Sequence, residues 1–283
     1  MNVMKTGLLL SLLTVLLVAM GRLLGGAEGA ATAFMFALVM NLGAYWFSDK
    51  LVLAMYRAKP LSEAEAPQVY RAVREIAARE RVPMPKLYWL PTVTPNAFAT
   101  GRSPQHAAVA VTAGLLQIMD AEELKGVLAH ELSHVKNRDT LVMSVAAAVA
   151  GAITMLARWA QWGAMFGGRR DDRRSGGALQ LVALLLIAVL APLAAMLIQL
   201  AISRTREYGA DAAGARLTGN PHGLADALEK LETAVRAHPL PDANPATAHL
   251  FIVNPLSGGA ISRLFSTHPP IAERVRRLRS MRL

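Results

Sequence analysis

Val127-Leu128-Ala129-His130-Glu131-Leu132-Ser133-His134 is the stretch that decides how the rest of this sequence is read. Two histidines four positions apart leave a helix on the same side, because 3.6 residues complete a turn. Their imidazole nitrogens can then hold one zinc ion from a single face. Glu131, beside the first histidine, can reach a water at that ion. This is the H-E-x-x-H pattern, in which the glutamate acts as general base. The competing reading is a helix that carries two surface histidines by chance. The flanking sequence favours a built helix. Asp120 is a good N-cap, and Glu123 three residues on completes a capping-box pattern. Leu124, Val127 and Leu128 give the helix an apolar side to bury, and it is expected to run to about Asn137.

Working outward, the 283-residue chain is 53% apolar. The excess is concentrated in runs at 7–20, 30–47, 141–157 and 179–202. A bilayer-spanning helix needs about 20 mostly apolar residues. The first run lies between Lys5 and Arg22, whose stems can snorkel to the interface. The second ends in Tyr45 and Trp46, a pair suited to the head-group boundary. Taken alone, the first run also fits a cleavable signal peptide, but a second run so close behind favours a two-helix anchor. The third run is short, and the fourth contains Gln180, Pro192 and Gln199. These two either span or lie partly buried in protein.

The net charge of +10 is mostly arginine, with clusters at Arg169, Arg170, Arg173 and Arg174 and at Arg274, Arg276, Arg277, Arg279 and Arg282. Beside membrane segments, such clusters more often meet anionic head groups than nucleic acid, and no nucleic-acid-binding motif is present. Lys50, Arg57 and Lys59 follow the second run, which by the positive-inside rule places that side in the cytoplasm. The arginines between the third and fourth runs oppose this if both of those runs span, so the depth of that hairpin stays open. Three of the four tryptophans (Trp46, Trp159 and Trp162, but not Trp89) lie beside hydrophobic runs, as interface anchors do.

Between the runs lie polar, folded-looking segments. Residues 66–80 read as an amphipathic helix with Pro67 in its first turn and Val69, Val73 and Ile76 on one face. Residues 86–90 and 107–112 read as strands.

With no cysteine in the chain, disulfides and thiolate ligands are excluded. A catalytic zinc takes three protein ligands and keeps one position open, so the third must be His, Asp or Glu. Ser203-Arg204-Thr205-Arg206-Glu207-Tyr208-Gly209-Ala210-Asp211 reads as a helix start with Glu207 and Asp211 on one face. One carboxylate could ligate zinc while the other accepts the outer N–H of a ligand histidine. Alternatively this is a solvated acidic face paired with Arg204 and Arg206. A hairpin that enters and leaves the same membrane face would bring this segment back to the His130 helix and account for the long gap between ligands. His106, His222, His238 and His249 lack ligand spacing and read as surface or cap residues.

The set HELSH, SRTREYGAD and STHPP, behind paired N-terminal hydrophobic segments, resembles the HtpX family of bacterial membrane metalloproteases, relatives of the CAAX prenyl proteases. The resemblance covers nearly the whole chain, with the motifs in order. It implies that His130, His134 and Glu207 bind one zinc ion, that Glu131 is the base and that Asp211 orients a ligand. It also implies that the segment around Asn96, Ala97 and Phe98 is an edge strand by the cleft, able to bind substrate by strand addition; an ordinary strand after a Pro-rich turn is the plainer reading. His268, before Pro269 and Pro270, either donates to a developing oxyanion or marks a helix start. Asn254-Pro255-Leu256-Ser257 also matches the family, with no evident physical role.

The expectation is a mainly α integral membrane protein with a zincin-like α+β catalytic domain and a small sheet. A helix pair would occupy 1–48, the catalytic domain 49–140 and 203–283, and a hydrophobic hairpin 141–202. Its place would be the cell (inner) membrane, multi-pass, with the catalytic domain cytoplasmic. Its partners would be the bilayer and polypeptides, chiefly misfolded or damaged membrane proteins in quality control. The oligomeric state is not readable. The alternatives are a non-catalytic scaffold with a structural zinc, an enzyme that trims prenylated peptides, and a secreted soluble protease.

Overall fold

The computed structural model describes residues 2–166, 203–240, 247–254 and 269–283. Both N-terminal apolar runs lie in α1 (Asn2–Met55), which breaks at Gly25 and Gly26. Gly26 has φ 61°, a left-handed conformation that suits a residue without Cβ. The chain folds back there into an antiparallel hairpin. The Asn41 side chain donates to Thr14 Oγ1 at 2.8 Å and to the Leu10 carbonyl at 3.2 Å. Near the turn Gly21 and Gly29 touch so closely that neither has room for a Cβ. The second arm, Gly25–Met55, is long and apolar enough to cross a membrane; at 1.5 Å per residue it covers about 46 Å. It continues past residue 47, where the apolar run ends. Phe34, Met35, Val39, Leu42 and Trp46 stand exposed along it, an apolar surface that fits lipid contact.

The third run begins α5 (Asp139–Phe166), which packs on α1. Leu141, Val142, Val145, Ala146 and Val149 meet Leu13 and Ala44 in one buried cluster. The fourth run and the 169–174 arginines lie outside the described residues.

The polar segments form a layer of helices over a four-stranded sheet. Its strands are β1 (Lys59–Pro60), β2 (Lys86–Leu90), β3 (Ala97–Thr100) and β4 (Ala108–Thr112), in the order β1-β2-β4-β3. β2 and β4 are parallel, and the outer pairs are antiparallel. Ala97 faces Val111 and Thr100 faces Ala108, so β3 is an edge. β2 and β4 lie where the sequence placed strands.

The helices are α2 (Pro67–Glu80), the short α3 (Ala113–Ile118), α4 (Ala121–Lys136), α6 (Arg204–Thr218), α7 (Pro221–Ala237) and α8 (Ile271–Arg279). In α2, Val69, Val73 and Ile76 are buried as expected. In α4 the Asp120 capping box is complete. Sequence suggested one apolar face for α4, yet every residue from Gly126 to Val135 is buried. The reason is that α2, α6, α7 and β3 all pack around it. Burying one Leu or Val side chain fully contributes about 1.5–3 kcal/mol, and Val127, Leu128, Leu132 and Val135 are all fully buried here.

Small residues set how close the neighbours come. A Cβ on Gly126 would lie 2.9 Å from the Leu224 backbone of α7, and one on Gly214 of α6 would lie 3.1 Å from the His130 backbone nitrogen. Gly126→Val and Gly214→Val should each destabilise the fold by about 1–3 kcal/mol, the usual cost of overpacking. Thermal unfolding in detergent measures this. Gly214→Val should also weaken metal binding, because it separates α6 from the His130 turn.

Candidate metal centre

Three of the residues singled out in the sequence converge. His130 and His134 project from one face of α4 with their Nε2 atoms 3.3 Å apart. Glu207, from the first turn of α6, presents Oε1 at 3.4 Å from His134 Nε2 and Oε2 at 3.8 Å from His130 Nε2. All three are buried, and their donor atoms lie within 4.8 Å of one another. Tetrahedral zinc with bonds of about 2.0–2.1 Å needs donors about 3.3–3.4 Å apart, so the set is close to ligand spacing.

The outer imidazole nitrogens explain why those lone pairs point inward. His130 Nδ1 lies 2.9 Å from Asp211 Oδ1, and His134 Nδ1 lies 3.1 Å from Asp139 Oδ2. A neutral ring that donates through Nδ1 presents an unprotonated Nε2. Two such nitrogens facing each other beside a carboxylate, away from water, repel unless a cation sits between them. The surrounding charge agrees. Glu131, Glu207, Asp211 and Asp139 face two guanidiniums, Arg206 and Arg274. Four carboxylates against two arginines leave two negative charges, the complement of a divalent ion. The residues therefore fit zinc.

Glu207 and Asp211 are 2% and 3% exposed, which overturns the reading of a solvated acidic face. Asp211 is held by Arg274, whose Nε and Nη2 donate to its two oxygens at 2.8 and 2.7 Å. Arg274 Nη1 donates to the Ile252 carbonyl at 3.0 Å. Burial alone would raise the Asp211 pKa, but Arg274 and His130 bring it down to about 2. Glu131 moves the other way: burial raises its pKa against the pull of both histidines and a hydrogen bond from the Ala99 N–H. Metal-free His134 is lowered by burial, but Asp139, Glu207 and Glu131 outweigh that and raise it to about 9.

The 95–99 segment leads into edge strand β3. Asn96 is buried, and its side chain donates to the Val253 carbonyl at 2.7 Å and accepts from the Ala97 N–H at 3.1 Å. The Ala97 carbonyl accepts the Ile252 N–H at 3.2 Å. Phe98 is fully buried against Phe251 and Tyr56, with ring centroids at 5.2 and 6.0 Å. Part of the strand's outer edge is thus paired to residues 252–253. His268 and residues 255–257 lie outside the described residues. His249, read as a surface or cap residue, is instead buried, with Nε2 3.1 Å from the Met143 carbonyl. A side chain between α5 and the 247–254 segment shows no ligand spacing in sequence, so burial there was not foreseeable.

Sequence reasoning missed Arg274 and Asp139 as parts of this site. Arg274 was one of a basic cluster assigned to head groups. It is fully buried, while Arg276 and Arg277 pair with Glu273, and Arg279 with Asp226 and Glu229. A signal existed: Ile271, Val275 and Leu278 share one face of α8, and Arg274 falls on it. Asp139 follows His134 by five residues, at the start of an apolar helix, and carries no comparable signal.

With this geometry in place, comparison with known proteins is direct. The profile of peptidase family M48 matches residues 63–282. The chain belongs to peptidase family M48. It is 60% identical over 279 residues to the "Protease HtpX homolog" of Syntrophobacter fumaroxidans, covering 98% of each chain. The protein of the same name from Pyrococcus furiosus is 54% identical over 277 residues, covering 98% of this chain and 95% of its own. The crystal structure of S. mikatae Ste24p is similar at TM-score 0.49 and 19% identity, over 87% of this chain, which spans 57% of that one. This M48 member is a metallopeptidase that retains the His-His-Glu set.

Two outcomes follow for the M48 site. Below about pH 9 zinc must displace a proton from His134, so apparent zinc affinity should rise by up to about tenfold per pH unit toward that value; competition with a chelator across pH 6–9 measures it. Arg274→Met should cost about 3–5 kcal/mol in unfolding free energy, because it strands the buried Asp211 carboxylate, and Arg274→Lys should rescue only part, since an ammonium does not reproduce the two-pronged contact.

Proposed function

We propose that this M48 metallopeptidase is a membrane-bound zinc endopeptidase that hydrolyses misfolded or damaged membrane proteins. The observation that carries this is the position of the His130–His134–Glu207 set, one helix turn from the apolar α5 and its packed partner α1. Polypeptide chains emerging from a bilayer would meet the site at that level. The relatives named as proteases over almost their full length support the activity.

His130, His134 and Glu207 would hold the ion, with Asp211 fixing the His130 tautomer. Zinc there supplies Lewis-acid polarisation of the scissile carbonyl and acidifies a neighbouring water. The protein's own contribution is the base. Glu131, made more basic by burial, takes the proton of the attacking water and delivers it to the leaving nitrogen. The Ala99 N–H holds that carboxylate at β3. A substrate added along this edge would pass directly before the base. Lys50, Arg57 and Lys59, just beyond the apolar part of α1, support a cytoplasmic catalytic domain and a multi-pass anchor in the cell membrane. His268 as an oxyanion donor, and Asn96, Ala97 and Phe98 as substrate contacts, belong to the same reading.

A structural-zinc scaffold would fill four positions with protein groups. Among the described residues the convergent metal-binding group has three members, His130, His134 and Glu207; His268, which would be a fourth in the scaffold reading, lies outside them. The deciding experiment is casein hydrolysis by the detergent-purified protein. Glu131→Gln should keep zinc but lose about 100- to 10,000-fold in rate, and a chelator should abolish activity until zinc is restored. Activity untouched by Glu131→Gln would overturn the assignment of the base, and zinc binding without any cleavage would favour the scaffold.

A further inference from the structure

The two histidines of α4 are each held from behind by a carboxylate, but the carboxylates come from different parts of the molecule. Asp211 belongs to α6, which also supplies Glu207. Asp139 is the first residue of α5, the helix that packs on α1. Its Oδ2 lies 3.1 Å from His134 Nδ1, and its Oδ1 lies 3.7 Å from Arg206 Nη1, one residue before Glu207. Asp139 is 3% exposed, so these contacts form away from bulk solvent. Five residues on, Ser144 Oγ lies 2.7 Å from Thr100 Oγ1 and accepts the Gly101 N–H at 3.2 Å. The opening turns of α5 therefore touch a histidine of the metal set, the helix that carries Glu207 and the end of edge strand β3, while the same helix is packed on α1.

We propose that Asp139 is a positioning residue for the metal centre: it fixes the ring and tautomer of His134 and joins the centre to the apolar α1–α5 pair. The chemistry is that of a carboxylate–imidazole–metal relay. Nδ1–H donation to Asp139 leaves the Nε2 lone pair directed at the ion, stops the ring from flipping and makes that nitrogen a better donor. The neighbouring chain turn alone does not do this. Lys136 reaches away to Glu80 of α2, and Arg138 is at positive φ, so the His134–Asp139 bond spans a break between two helices. The role rests on the zinc reading given above.

The test is zinc affinity of the full chain in detergent, measured by competition with a chromophoric chelator, for wild type, Asp139→Asn and Asp139→Ala. Metal-free thermal unfolding is recorded beside it. Asp139→Asn keeps the shape and one acceptor, so it guards against a failure to fold. The expected result is zinc affinity about 10- to 100-fold lower, more for Ala than for Asn, with activity recovered in part by excess zinc; metal-free unfolding falls as well, since the His134–Asp139 contact is present without metal. Unchanged zinc affinity in both variants, with metal-free unfolding shifted down, would overturn the proposal and leave Asp139 as a helix-start residue only. If the wild type itself binds no zinc, the metal assignment fails instead, which separates the two claims.

Discussion

His130 Nε2 and His134 Nε2 face each other at 3.3 Å among buried side chains, with the Glu207 carboxylate beside them. The helices and edge strand packed around α4 hold that arrangement. Left to themselves, two imidazole lone pairs and a carboxylate would separate or take up protons, as the raised pKa of metal-free His134 shows. The fold prevents separation by burying α4 on all sides, and Asp211 and Asp139 accept the Nδ1 hydrogens, so that once His134 gives up its extra proton both Nε2 lone pairs face the ion site. Arg274 and Arg206 then offset part of the carboxylate charge and leave the amount a divalent ion would cancel.

This constraint links the two layers of the molecule. α4 ends at Lys136 and α5 starts at Asp139, so an apolar helix packed on α1 begins almost where the histidine-bearing helix stops. Phe98 of β3, Phe251 and Tyr56 stack together between the sheet and the end of α1, and the Tyr56 hydroxyl bonds to Thr247. The edge strand, the metal set and the apolar helices therefore share one junction. A substrate strand would need the outer edge of β3, where the Ala97 carbonyl is now bonded to Ile252.

Much of this was legible in the sequence because it depends on local periodicity. His130, Glu131 and His134 are fixed by an i, i+4 spacing within a helix whose capping box can be read from Asp120 and Glu123. The second arm of α1 is legible by its length and apolar content, and α2 by its Val69, Val73 and Ile76 stripe. Glu207 and Asp211 were harder. Their spacing showed a shared face, but only the tertiary packing of α6 on α4 turned that face inward. Asp139 and Arg274 were not legible as site residues. Each is one charged residue whose partner lies on another helix, and nothing in its near neighbours names that partner. Strand β1 escaped because two residues carry no periodicity, and α4's full burial because a helix with one clear apolar face gives no count of how many neighbours surround it.

The most direct measurement is X-ray absorption at the zinc edge on the purified full-length chain. The account predicts a four-coordinate shell of nitrogen and oxygen with two imidazoles and bonds of about 2.0–2.1 Å, and loss of one oxygen ligand in Glu207→Ala. A shell with three imidazoles, or one unchanged by Glu207→Ala, would contradict the assignment on which the rest depends.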